Sequence, residues 1–123
     1  MEFIRSRFDS FLNAANGIFT TLGTQVNFML EVFGAIFLVF LGMALSIEVW
    51  QWVALLGSLG ILLAAELFNT AIEHVVDLIS PEYHDLAEKA KDAAAGAVLV
   101  AAGVCVLVAA FIFLPIVEMA VSY

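Results

Sequence analysis

The chain has 123 residues, of which 64% are apolar, and its mean hydropathy is +1.09. Since about half apolar is typical of soluble domains, this composition excludes an ordinary soluble protein and predicts one integral-membrane domain over residues 1–123. The formal net charge of −8 excludes a nucleic-acid partner, because the few basic residues could not neutralise a phosphate backbone.

The first segment, residues 3–23, has mixed polarity. Polar residues stand between apolar residues that recur at helical spacing. This pattern predicts an amphipathic surface helix that lies at the membrane interface before the chain turns into the bilayer. The apolar positions are Phe3, Ile4, Phe8, Phe11, Leu12, Ala15, Ile18, Phe19 and Leu22.

Three later stretches are long enough to cross a hydrocarbon core, which needs about 20 residues. They are predicted at residues 28–47, 49–79 and 93–117. A tight hairpin is expected between the first two spans, and Ser80-Pro81 should end the second because proline disfavours a helical conformation in the residue before it. A short amphipathic connector then leads to the third span, in which Cys105 is expected to be a packing residue.

The four basic residues predict the orientation. Arg5, Arg7, Lys89 and Lys91 all lie before the first span or between the second and third. Three spans place those regions on one side of the membrane, and the positive-inside rule makes that side cytoplasmic. We therefore expect a multi-pass protein whose N-terminus faces the cytoplasm.

A polar stripe interrupts the second span. At about 100° per residue its members share one helix face roughly 100° wide. Charge inside a bilayer costs at least a few kcal/mol, so the stripe indicates a pocket, most simply one that holds a divalent cation and a charged ligand. A polar seam between subunits or an ion path remains an alternative. The members are Glu66, Asn69, Thr70, Glu73 and Asp77.

The depth of the stripe follows from the helical rise. Glu66 is 18 residues beyond Glu48, or about 27 Å at 1.5 Å per residue, against a core of about 30 Å. Glu66 should therefore lie near the cytoplasmic boundary, where a water-soluble and a membrane-embedded ligand could meet. Glu31 approaches the same level and could snorkel, pair with a base or join the site, and Lys91 could contact phosphate or simply be interfacial.

Oligomerisation is also expected. Ala94-Ala95-Gly96 and Ala101-Ala102-Gly103 repeat at a spacing of seven residues, and small residues on one face let helices approach closely in lipid. Three helices are few to surround so polar a site. These features predict a homo-oligomer with sites between neighbouring subunits.

The stretch from residue 65 to residue 92 resembles the signature of the prokaryotic diacylglycerol kinase family, which includes undecaprenol kinases. It reads AELFNTAIEHVVDLISPEYHDLAEKAKD and fits the pattern E-L-x-N-[ST]-A-I-E-x-x-V-D followed by P-E-Y-H and A-K-D. The resemblance implies an all-α homotrimer in the bacterial inner membrane that transfers the γ-phosphoryl of MgATP to a lipid hydroxyl. Diacylglycerol, giving phosphatidic acid, is the expected acceptor, and undecaprenol is the alternative.

The resemblance also implies a role for each matching residue. Glu66 would be the general base and contact the acceptor, together with Ala14 and Glu31. Magnesium would be held by Glu73 and by the residue at the position of Gln25. The nucleotide would be bound by Gly17, Asn69, Asp77, Lys91 and Asp92.

One run departs from the family pattern. Members carry a run such as E-R-N-F-R before the first span, whereas this chain has Gln25-Val26-Asn27-Phe28-Met29. A carboxamide can coordinate magnesium but supplies no negative charge, and the basic residues are missing. A non-catalytic membrane scaffold is therefore an alternative. A cation channel is disfavoured because the second span is apolar beyond the stripe except for Ser58.

Overall fold

The computed structural model describes the backbone of residues 2–122 and the side chains of residues 4–122, so the side chain of Phe3 lies outside the described residues. Within this range the chain forms four helices, α1 (Glu2–Thr24), α2 (Val26–Ala44), α3 (Val49–Ile79) and α4 (Asp85–Val121). The last three are long and apolar enough to cross a membrane. The all-helical class and the three candidate spans are confirmed.

The turn between α2 and α3 ends the first span three residues earlier than predicted. Ser46 has a φ of 52°, and the Ile47 amide donates to the Gly42 carbonyl at 3.2 Å. The Ile47 side chain folds back until its Cδ1 lies 3.0 Å from where a Cβ on Gly42 would stand. Ile47 is therefore apolar because it packs against the turn and not because it extends the helix.

Helix α3 begins and ends as predicted. Glu48 and Gln51 form a capping box at its start, in which the Gln51 side-chain carbonyl accepts from the Glu48 amide at 2.8 Å. The Trp50 indole also donates to the Glu48 carboxylate at 2.7 Å. At the other end the Ser80 amide bonds the Val76 carbonyl, and Pro81 follows.

Helix α4 is longer than the predicted third span. His84 caps its start by accepting from the Leu86 amide at 3.2 Å, and the helix continues without interruption to Val121. The predicted connector is thus the first two turns of α4 and not a separate element, because polar side chains at an interface do not by themselves end a helix.

The core lies mainly between α3 and α4. Leu55 and Ile112 are fully buried there, and Cys105 is a buried free thiol in the same cluster, as expected of a packing residue. Ala94 and Ala101 are buried, whereas a Cβ at Gly96 would meet open space. Packing within this chain accounts for only part of the small-residue repeat.

Helices α1 and α2 complete the fold. Helix α2 packs on α3, and α1 contacts both α2 and α3. Helix α1 leaves large apolar side chains exposed, including Phe8, Phe11 and Phe19. Through its contacts with α3, helix α1 covers one side of the polar end of that helix.

Candidate functional site

Burial along α3 is graded through the polar stripe. Glu66, Asn69 and Thr70 are only 3%, 8% and 4% exposed, Glu73 is half-buried, and Asp77 is exposed. A buried carboxylate is costly unless other groups compensate it. The stripe therefore leads from the protein interior at Glu66 to an open surface about 16 Å further along the helix.

The buried part of the stripe is joined by Glu31 from α2. The carboxylates of Glu31 and Glu66 interact electrostatically, as do those of Glu66 and Glu73. Of the positions considered for Glu31, the structure favours the one among the acids of α3.

Asn69 is hydrogen-bonded to one member of this acidic group. Its carboxamide nitrogen donates to Oε1 of Glu73 at 3.3 Å, while its Oδ1 is buried without a partner. One carboxylate oxygen of Glu31, Oε2, is likewise buried and unpartnered. The packing of α2 on α3 creates this arrangement, so no single sequence segment could have revealed it.

A second group surrounds a cavity of about 320 Å³ between the end of α3, the following loop and the start of α4. Asp77, Lys91 and Asp92, three of the predicted nucleotide residues, line it together. Nζ of Lys91 lies 2.9 Å from Oδ1 of Asp77. The structure thus brings the ends of two helices to one polar cavity.

Tyr83 and Glu88 line the same cavity, and neither was predicted to be a site residue. The Tyr83 hydroxyl donates to the Glu88 carboxylate at 2.8 Å, and this hydrogen bond raises the pKa of Tyr83 above its ordinary value. The available signal was the proline that follows α3, because the turn it imposes folds these side chains back towards Asp77.

A third feature is a cavity of about 250 Å³ between α1 and α3. Ala14 and Gly17 lie on its α1 wall, opposite Thr70 and His74 of α3. A Cβ at Gly17 would meet nothing within 4 Å, so small residues leave the space open.

Gln25 lies apart from these contacts. It precedes the first turn of α2, and its amide donates to the Thr21 carbonyl at 2.8 Å, but no hydrogen bond links its side chain to Glu73 among residues 4–122. That range also contains no group of three or more histidine, cysteine, aspartate or glutamate side chains arranged to hold a metal ion. The oxygen-only donors at Glu73, Glu31 and Asn69 nevertheless suit a hard cation such as magnesium.

Comparison with known proteins identifies relatives over most of the chain. Residues 12–113 match the family Prokaryotic diacylglycerol kinase. The chain is 41% identical over 108 residues to the undecaprenol kinase of Bacillus subtilis (strain 168), covering 88% of each protein. It is 38% identical over 107 residues to a diacylglycerol kinase of Synechocystis sp., covering 86% of this chain and 61% of that one.

A shorter match is found to the diacylglycerol kinase of Escherichia coli (strain K12). It has 41% identity over 63 residues, or 51% of this chain and 52% of that protein. Relatives named for either lipid acceptor are therefore similar to this chain.

Proposed function

The chain belongs to the prokaryotic diacylglycerol kinase family, and we propose that it transfers the γ-phosphoryl group of ATP to the hydroxyl of a membrane lipid. The observation that carries the proposal is the buried Glu66 carboxylate, which stands among other acids where a long apolar helix becomes polar. A base in that position can meet a lipid hydroxyl, while the exposed end of the stripe can meet a nucleotide.

In the proposed reaction the lipid oxygen attacks the γ-phosphorus of ATP. The bond from that phosphorus to the β,γ-bridging oxygen breaks, and ADP leaves with its electron pair. Glu66 accepts the proton of the attacking hydroxyl. Most of the remaining work is positioning and charge stabilisation, as is general for phosphoryl transfer.

The nucleotide is assigned to the cavity between α3 and α4 and to neighbouring groups. Lys91 and Asp92 lie about two turns into α4, and Asp77 holds the Lys91 ammonium in place. Further nucleotide contacts are assigned to Asn69 and to Gly17, which lines the separate cavity between α1 and α3. Charged hydrogen bonds to phosphate, such as those of a lysine, are stronger than neutral ones.

Magnesium is assigned to Glu73, with Gln25 as a neutral oxygen ligand. When bound, the ion neutralises charge on the transferring phosphates. Asn69 orients the Glu73 carboxylate through the 3.3 Å hydrogen bond.

The acceptor is assigned to diacylglycerol, giving phosphatidic acid, with undecaprenol as the alternative. Ala14 and Glu31 contact it beside Glu66. Similarity supports the two acceptors comparably. The relative that matches over 88% of each chain is named undecaprenol kinase, whereas other relatives are named diacylglycerol kinase.

The same proposal includes the membrane placement and the assembly. Helix α1 lies on the cytoplasmic interface, so the N-terminus and the site face the cytoplasm of a bacterial inner membrane. Three copies associate as a homotrimer. The open positions at Gly57, Gly60 and Gly96 are suited to close approach of a neighbouring helix.

The test is phosphate transfer from labelled ATP with magnesium, by purified protein in mixed micelles. Diacylglycerol and undecaprenol are offered separately, with Glu66→Gln as the variant and Glu118→Gln as a matched control at the far end of α4. We expect transfer to one lipid that is lost in the first variant and kept in the second. Normal turnover by Glu66→Gln would refute the mechanism.

The absence of charge at Gln25 favours a second candidate, a catalytically impaired scaffold of the same family. This candidate predicts that MgATP does not bind. A thermal shift with MgATP that magnesium alone does not produce would count against the scaffold.

A further inference from the structure

The loop between α3 and α4 forms the outer wall of the polar cavity. Its residues, 80–84, all line that cavity together with Asp77, Glu88 and Lys91. Binding residues are often carried by loops that a rigid scaffold positions. The conformation of this loop therefore bears directly on what the cavity can bind.

Tyr83 is the aromatic side chain of this loop. It is 78% exposed, so packing against the rest of the chain does not fix its ring. Its hydroxyl donates to Oε2 of Glu88 at 2.8 Å. This hydrogen bond, with a smaller contribution from Asp85, raises the pKa of Tyr83. The carboxylate of Glu88 therefore determines where the Tyr83 ring stands.

The charge of Glu88 is unsuited to direct contact with a nucleotide. Its carboxylate lines a cavity that also contains Asp77 and Asp92, and like charges repel the phosphates of ATP. Glu88 also lies in the first turn of α4, where a negative charge stabilises the helix dipole. A role that Glu88 has through Tyr83 must be separated by experiment from that general effect.

Tyr83 and Lys91 are both held against one face of α4. Glu88 and Lys91 are three residues apart, so their side chains are neighbours on the helix. Glu88 holds the Tyr83 hydroxyl at 2.8 Å, and Asp77 holds the Lys91 ammonium at 2.9 Å. Two short contacts thus place an ammonium and an exposed aromatic ring on one cavity. An ammonium binds phosphate, and aromatic rings stack on nucleobases.

We propose that Glu88 is a positioning residue for the nucleotide, because it holds the Tyr83 ring as the flat surface on which the base stacks. The phosphates then extend past Lys91 towards the buried end of the polar stripe. Glu88 itself touches neither the base nor the phosphates in this arrangement. The inference rests on the proposed function, which assigns the nucleotide to this cavity.

The test compares the ATP affinity of four variants. Glu88→Ala, Tyr83→Phe and the double variant form a cycle, and Glu88→Gln is the conservative change. Binding of labelled ATP with magnesium is measured by equilibrium dialysis of the purified full-length protein in detergent micelles. The KM for ATP, the KM for lipid and kcat are measured alongside.

Glu88→Ala and Tyr83→Phe should each weaken ATP binding about two- to tenfold, the equivalent of one hydrogen bond. The double variant should bind no more weakly than the weaker of the two, because both changes remove the same contact. Glu88→Gln keeps an acceptor and should stay within about twofold of the unaltered protein. The lipid KM and kcat should not change.

Inorganic tripolyphosphate separates the base from the phosphates. It carries the phosphate chain without a base, so it should displace labelled ATP with the same inhibition constant in Glu88→Ala as in the unaltered protein. Lys91→Met should weaken both ligands.

Ultraviolet titration of tyrosine ionisation gives a readout that needs no nucleotide. Tyr83 should ionise at lower pH in Glu88→Ala, since the carboxylate no longer favours the protonated hydroxyl. Tyr83→Phe identifies this signal, because the other tyrosine of the chain is Tyr123.

The proposal would be overturned by unchanged ATP affinity in Glu88→Ala or by an equal loss of tripolyphosphate affinity. It would also be overturned if Glu88→Gln bound as weakly as Glu88→Ala, which would assign the effect to charge on the helix. Thermal unfolding of each variant checks that the fold is kept.

The same measurements separate this inference from the proposed function. Weaker ATP binding in Glu88→Ala, in a protein that transfers no phosphate to lipid, would uphold the positioning role while the kinase assignment fails. Phosphate transfer with unchanged ATP affinity in Glu88→Ala would do the reverse. No ATP binding by the unaltered protein would overturn both the positioning role and the nucleotide assignment.

Discussion

The ammonium of Lys91 lies 2.9 Å from Oδ1 of Asp77 and ties the last turns of α3 to the first turns of α4. The two side chains are 39% and 63% exposed, and an ion pair at such an exposed position adds little stability because water screens it. The pair therefore fixes where the ammonium stands, at the wall of the cavity, more than it stabilises the fold.

Replacing Lys91 by methionine should lower kcat/KM for ATP by about 10- to 100-fold, because it removes a charged hydrogen bond to phosphate. The melting temperature should change little. Lys89→Met, two residues away on the exposed surface, is the control. Equal losses of kcat/KM in the two variants would show that Lys91 has no specific role in nucleotide binding.

Glu66→Gln should reduce turnover at least about 100-fold, the lower bound for a positioned general base. The substitution preserves shape and removes a buried charge, so the variant should unfold at the same or a higher temperature. Single-turnover transfer from labelled ATP measures the chemical step directly. A parallel loss of folding would instead make Glu66 a structural residue.

Gly42→Ala should destabilise the protein by about 1–3 kcal/mol, the usual cost of overpacking. The added Cβ would lie 3.0 Å from the Ile47 side chain and 3.0 Å from the Trp52 ring. Gly34→Ala on the same helix is the control, because its Cβ would meet nothing within 4 Å. Thermal unfolding in detergent compares the two, and equal stability would disprove the close contact.

Gln51→Ala should cost about 0.5–2 kcal/mol through loss of a helix cap, since its side chain accepts the Glu48 amide at 2.8 Å. Trp50→Phe removes only the indole hydrogen bond to Glu48 and should cost less. Chemical denaturation midpoints rank the two. The reverse order would place the stabilisation in the indole contact.

The orientation can be tested with single added cysteines. Ser6→Cys should react with a membrane-impermeant thiol reagent only in inside-out vesicles, and Ser122→Cys only in right-side-out vesicles. Both positions are exposed, whereas the native Cys105 is buried and should stay unlabelled. The opposite pattern would reverse the topology.

Sequence features that act locally predicted the fold well. The bounds of α3 follow from the polar residue Glu48 at its start and from Ser80-Pro81 at its end, since a proline ends most helices at the residue before it. The end of α2 was placed too late, because hydropathy cannot distinguish an Ile47 that continues a helix from one that packs against its own turn. The start of α4 was placed too late because helix capping at His84 depends on loop geometry.

The candidate site also combines features that local sequence predicts with features that depend on how the helices pack. The stripe on α3 follows from helical periodicity, and its graded burial is described by the structure, while its depth in a membrane stays a prediction. The approach of Glu31 to Glu66 depends on how α2 packs on α3, which no periodicity encodes. Tyr83 and Glu88 enter the cavity through the turn after Pro81, and pattern reasoning had assigned them no role there.

The uninterrupted length of α4 has a mechanical consequence. Its 37 residues extend about 55 Å, well beyond a hydrocarbon core of about 30 Å. Pro115 lies inside this helix, but the stretch from Lys91 to Cys105 precedes it and is one continuous helix about 21 Å long. A helix tilts when the bilayer becomes thinner, and because α3 packs along α4 the two would tilt together. A 10° tilt about Cys105 would move Lys91, and with it the polar cavity, by roughly 4 Å, so the thickness of the surrounding membrane bears on where that cavity stands at the membrane surface.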